Sequence, residues 1–153
     1  QTLGRILAKK FYGQVPVIYA STHNQPITYH WKITMNETAK IPAFANVFSE
    51  LNHNEMTGFD VKPASRELSR RLHFVFLEDP ADDPRVTKRL RLTEKLYRDR
   101  RLAVTRVPLR GKNPLHKIFS SLLLADWTAY HLAQHYHLEP EAVPMVEEFK
   151  KLL

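Results

Sequence analysis

The sequence predicts an α/β protein: a doubly wound parallel sheet with helices on both faces. Three observations carry this. Four short apolar runs are rich in β-branched and aromatic residues: 15–21 (VPVIYAS), 42–48 (PAFANVF), 73–79 (HFVFLED) and 102–109 (LAVTRVPL). They are near-continuous in apolar character, as strands covered on both faces are. Each is followed by a segment with helical spacing, the alternation that builds parallel sheets.

In chain order, Leu3, Ile6, Leu7 and Phe11 recur at helical intervals, so a helix is expected over 2–12, stopped by Gly13. The run 15–21 is the first strand. A helix over 23–40 follows, with Pro26 tolerated near its start because first-turn N–H groups lack partners anyway. The second strand, 42–48, leads into the start of another helix at 50–56. Residues 57–69 mix Gly58, Pro63 and charges, and read as a loop or short helix. The third strand, 73–79, is followed by a turn over 80–84 and a helix over 85–100. The fourth, 102–109, is followed by a loop over 110–114. A long helix over 115–137 places Leu115, Phe119, Leu122, Ala129 and Leu132 near one face. Pro140 breaks the pattern, and 144–152 forms a last helix. Right-handed crossovers put every strand's C-terminal end on one edge, where ligands of open α/β sheets bind. The loops of interest are therefore 21–25, 48–55, 78–85 and 109–114.

Composition narrows the function. A length of 153 residues suits one domain, and 43% hydrophobic with 25% charged residues is globular, with no disordered tail. The chain has no Cys, which excludes disulfide frameworks, thiolate metal sites and cysteine nucleophiles, and fits a reducing compartment. No apolar run approaches the roughly 20 residues of a membrane span, and no signal peptide precedes the first element. The chain opens on Gln1 inside a helical pattern, as expected of a piece of a longer protein. The net charge is +7, from 23 Lys and Arg against 16 Asp and Glu. Most of the excess lies in 85–101, whose basic face reads as a solvated outer helix. It is not a nucleic-acid surface in this reading, since only Tyr97 could stack on a base.

Several constellations could carry chemistry. Glu50-Leu51-Asn52-His53-Asn54-Glu55 follows the second strand directly, where a turn can aim polar groups at a ligand. Glu55 falls near a helix N-terminus if the helix starts at about Asn54, and the helix dipole would favour its anion. An anionic carboxylate against a substrate C–H is what proton abstraction needs; a capping box with a solvated turn is the competing reading. Ser21 and Thr22, ending the first strand, could donate to substrate hydroxyls or phosphate, or cap the next helix. Lys32, Asn36 and Lys40 share one helical face, read as solvated. His131 and His135, at i and i+4, lack the acidic neighbour of a zinc motif, and no metal is expected there. Lys150 or Lys151 in the last helix could reach over the sheet edge, or complement the helix dipole.

Taken in order, Tyr29-His30-Trp31-Lys32, Asn36-Glu37, Ala39-Lys40, Pro42-Ala43, Phe48 and the Glu50–Glu55 run resemble the C-terminal half of the bacterial and archaeal bifunctional phosphoglucose/phosphomannose isomerases. The likeness continues through Phe76-Leu77-Glu78-Asp79-Pro80, Pro84-Arg85, Leu124-Ala125-Asp126-Trp127 and the last helix. The resemblance implies the C-terminal sugar isomerase (SIS) domain, over residues 1–153, of a cytoplasmic two-domain homodimer. Its partners would be an N-terminal SIS domain and a hexose 6-phosphate substrate. It implies aldose–ketose isomerisation through a cis-enediolate with no metal or organic cofactor. Glu55 then maps onto the base that moves the proton between C2 and C1, with Asn52, His53 and Asn54 lining the substrate. Lys150 best matches the ring-opening lysine, with Lys151 beside it. Asp83 stands where the family carries a ring-opening histidine; His73, His53 or a neighbouring subunit are the substitutes. The family's usual arginine before Trp-Lys is His30 here, and its main phosphate loops and an enediolate-stabilising arginine lie in the other domain. A non-catalytic sugar-phosphate-binding SIS module is the alternative.

Overall fold

The computed structural model describes residues 2–153. Helix α1 (Thr2–Phe11) buries Leu7, Ala8 and Phe11 and ends at Gly13, whose φ of +73° is the left-handed conformation that glycine adopts without steric cost. The chain continues through β1 (Val15–Ser21), a 3-10 turn (Thr22–Asn24), α2 (Gln25–Glu37), β2 (Phe44–Phe48) and the one-turn α3 (Glu50–His53). Two further 3-10 turns (Glu55–Phe59 and Arg66–Ser69) lead to β3 (Leu72–Glu78), α4 (Pro84–Asp99), β4 (Ala103–Pro108), α5 (Pro114–His135) and α6 (Pro144–Leu152).

The four strands form one sheet in the order β2-β1-β3-β4, with every pair parallel. Side chains alternate between its two covered faces. Ile18 and Ala20 of β1, Val75 and Leu77 of β3, and Val107 of β4 pack with Phe11 of α1, Trp31 and Met35 of α2, and Ala125, Ala129 and Leu132 of α5. Val17 and Tyr19, Phe74 and Phe76, and Val104 pack on the other face with Leu51 of α3 and Leu90 and Tyr97 of α4. Burying a side chain of this size stabilises the fold by about 1.5–3 kcal/mol. Trp31 is fully buried, and its indole N–H donates to Ser121 Oγ at 3.0 Å, tying α2 to α5. Gly4 is required by close approach: a Cβ there would stand 2.8 Å from Trp127 Cβ.

The doubly wound expectation is met, and the differences are local. The helix expected over 23–40 is shorter at both ends, giving way to the 3-10 turn before Gln25 and to Lys40 at φ +57°. Pro42 lacks an N–H, and edge strand β2 begins only at Phe44. The single helix expected from Glu50 is split: α3 stops at His53, and a separate 3-10 turn starts at Glu55 with Asn54 as its N-cap.

Candidate active site

Tyr19 and Asn46 are register partners on adjacent parallel strands, so their side chains share one face of the sheet. Glu55 returns over that face from the turn after α3. Its Oε1 accepts from the Tyr19 hydroxyl and its Oε2 from Asn46 Nδ2, while its backbone N–H donates to Asn54 Oδ1 at 2.5 Å. Asn54 Nδ2 donates in turn to Glu50 Oε1 at 2.6 Å, closing the turn. A five-residue 3-10 turn offers little aligned dipole, so side-chain donors take the place of the helix end expected to hold this carboxylate. Among the described residues no Lys, Arg or His forms an ion pair with Glu55, which is half-buried. Tyr19 is fully buried among Phe48, Phe74 and Phe76. Burial, then the neighbouring Tyr97 and Glu55, push its phenol well above the ordinary value, so it stays a donor. Burial also pushes Tyr97 up to about 12, and among the described residues its buried hydroxyl has no hydrogen-bond partner.

The second feature lies where β1 and β3 diverge, one connecting outward to β2 and the other to β4. This topological switch point is where open α/β sheets form their ligand crevice. Asn24 Nδ2 reaches Ser21 Oγ at 2.9 Å, Asp79 Oδ2 at 3.1 Å and Asp82 Oδ1 at 3.4 Å. Lys117 Nζ, from the first turns of α5, pairs with Asp79 Oδ2 at 2.5 Å. Burial opposes ionisation of Asp79, but Lys117, the Ala81 N–H and Asn24 together hold its carboxyl below the usual range. Asp82 goes the other way: burial pushes it up, helped by the Asp79 charge against the opposing Ser21 contact. Ser21 is thus buried inside this network, whereas Thr22 is exposed and donates to the Phe48 carbonyl at 2.9 Å, joining the ends of β1 and β2.

The other sequence-derived candidates are dispersed. Asn52 Nδ2 donates to Thr93 Oγ1 of α4 at 2.7 Å and its buried Oδ1 has no partner among the described residues, while His53 is exposed. Asp83 caps α4: its carboxylate accepts from the Arg85 N–H at 2.7 Å and from the Arg85 guanidinium at 3.0 Å. Those Arg85 contacts hold its carboxyl below the usual range. Lys150 lies on α6, which has no buried residue, and pairs with Glu147 at 2.7 Å; among the described residues it makes no ion pair with Glu55. His73 is removed as a substitute for the missing histidine. It sits at the N-terminal end of β3, opposite the ligand edge, against the Phe11 ring and Thr105 Oγ1. The basic residues of α4 and its C-cap are largely engaged: Arg98 with Glu94, Lys95 with Asp99, Arg91 with Glu78 and the C-cap Arg100 with Asp60. Sequence reasoning missed Tyr19, Asn46, Asn24, Asp79 and Lys117 as site residues. An Asn inside an apolar strand, poorly suited to a strand interior, was the available signal for Asn46.

A parallel four-stranded sheet of this order, covered by helices on both faces, is a doubly wound α/β domain. Two of the solved structures that share this fold are similar over most of the chain. One is a glucose-6-phosphate isomerase like protein from Thermus thermophilus, with a TM-score of 0.72, 22% identity and coverage of 94% of this chain and 46% of that one. The other is glucosamine-6-phosphate deaminase from Thermotoga maritima, with a TM-score of 0.64, 13% identity and coverage of 94% and 43%. The chain belongs to the family described as the bacterial phospho-glucose isomerase C-terminal SIS domain, which matches residues 1–153. It is 37% identical over 147 residues to a bifunctional phosphoglucose/phosphomannose isomerase of Thermoplasma volcanium, covering 95% of this chain and 45% of the relative. It is 34% identical over 152 residues to the enzyme of the same name in Thermoplasma acidophilum, covering 98% and 46%. The chain therefore spans less than half the length of these relatives.

Proposed function

We propose that this chain is the C-terminal half of an enzyme that interconverts glucose 6-phosphate or mannose 6-phosphate with fructose 6-phosphate, working in the cytoplasm as a homodimer with an N-terminal SIS domain. The observation that carries the reading is the Glu55 carboxylate. It follows the C-terminal end of β2, in an Asn-His-Asn-Glu motif, and among the described residues no cation pairs with it. Glu55 takes the proton from C2 of the open-chain aldose, leaving a cis-enediolate. It returns the proton to C1, while a proton moves from O2 to O1, so no redox partner is needed. Lys150 assists ring opening once α6 is docked over the site by the rest of the protein. Names of relatives at 34–37% identity support the substrate class. In the full-length protein, Glu55→Gln keeps the shape and loses the base, so fructose 6-phosphate should still bind while isomerisation falls by at least about 10³-fold. Retained turnover would overturn the role of Glu55.

A second reading, a non-catalytic sugar-phosphate-binding module, is favoured by one observation. Asp83, at the position of the expected ring-opening histidine, is occupied in capping α4 and binding Arg85. Saturable binding of fructose 6-phosphate by the full-length protein with no isomerisation would select it.

A further inference from the structure

Resting on the reading of Glu55 as the base, we propose that Tyr19 and Asn46 are positioning residues that clamp its two carboxylate oxygens and so aim the reacting lone pair at the substrate. Four observations converge on this. The two donors come from directly paired positions of β1 and β2, so their spacing is set by the sheet and not by a mobile loop. Each takes a different oxygen of Glu55, which removes rotation of the carboxylate about its own axis. Asn46 is itself locked, since its Oδ1 accepts the Val47 N–H at 2.8 Å, leaving only Nδ2 to face Glu55. Tyr19 is held by aromatic contacts with Phe48 of β2 and with Phe74 and Phe76 of β3.

The chemistry of the donors suits the task. A guanidinium or ammonium in their place would orient the carboxylate equally well but would lower its proton affinity through its full charge. A phenol and an amide are neutral, and the buried phenol remains protonated. Both oxygens are tethered by sheet residues while Glu55 as a whole is only partly buried, which leaves it accessible to a C–H. Misplacing a reacting group by about 1 Å costs on the order of 10²-fold in rate. The benefit should therefore appear in the proton-transfer step and not in substrate binding.

The test uses the full-length protein and fructose 6-phosphate. Tyr19→Phe keeps the buried ring and deletes only the donor, and Asn46→Ala deletes the other at an edge strand. Each should lower kcat by about 10- to 100-fold with KM within twofold. With substrate deuterated at the carbon that loses its proton, each variant should show a larger kinetic isotope effect than the parent. Each should also carry less deuterium intramolecularly between C1 and C2, because a loosened carboxylic acid loses it to solvent. A purely structural role would lower the thermal midpoint without moving either isotope readout. If Tyr19→Phe does not fold, Asn46→Ala decides alone. Unchanged kcat and isotope effects in both variants, alongside an inactive Glu55→Gln, would overturn the clamp and leave the base standing. An active Glu55→Gln would remove both.

Discussion

Lys117 reaches from α5 to Asp79 across 2.5 Å, with side chains 15% and 1% exposed. Two charges this far out of water are retained because each satisfies the other, with the Ala81 N–H and Asn24 filling the remaining acceptor sites of Asp79. Removing one partner leaves a buried charge uncompensated, which typically costs about 3–5 kcal/mol. Lys117→Met should therefore destabilise strongly in urea denaturation. Adding Asp79→Asn should recover part of the loss, because a neutral amide no longer needs the cation. Additive effects of the two substitutions would show that the pair is not coupled. Glu55 shows the same dependence on neighbours. Its motif was legible as a short run of residue types, but the two donors that hold it stand 36 and 9 positions away in sequence.

At the scale of elements, β3 carries a titratable group inside the sheet. Burial, and then the positive charge of Lys10, lower the pKa of His73 from 6.5 to about 4. Sign follows from proton counting. The unfolded chain takes up the proton near 6.5, whereas the folded chain resists it until about 4, so the unfolded state binds more protons between these values. Stability is then independent of this group above about 6.5 and falls as pH drops towards 4, by about 3 kcal/mol. Thermal midpoints measured from pH 7 to pH 4 should show this decline, and His73→Gln should flatten it while keeping a partner for Thr105. An unchanged slope in the variant would assign the acid sensitivity to other groups. The strands themselves were readable because covered strands are apolar throughout; their ends shifted by a residue or two where Pro42 or a left-handed residue interrupts pairing. The helix expected from Glu50 broke into two turns, which no periodicity in so short a run could reveal.

For the whole molecule, α6 is the informative part. Met145, Phe149, Leu152 and Leu153 are all largely exposed, and Lys150 on the same helix pairs with Glu147. A helix with this apolar side outward has not met its surface within these residues. The 153-residue chain by itself should accordingly isomerise fructose 6-phosphate at least about 100-fold more slowly than the full-length protein, in keeping with the cost of a misplaced catalytic group. Full activity from the isolated chain would show that the phosphate site and the ring-opening cation are both already in place here.

What the sequence determined by itself was the architecture and the Asn-His-Asn-Glu motif. Both are local signals: strand and helix patterning repeats every few residues, and the motif is contiguous. The tertiary structure alone decided that Asp83 caps a helix and that Ser21 is buried in a network with Asn24 and Asp79. It alone decided that His73 lies at the wrong end of the sheet, and that Tyr19 and Asn46 meet at Glu55. These depend on strand order and on which face a side chain takes. A parallel sheet brings together residues separated by whole crossovers, and nothing in the separate segments records that meeting.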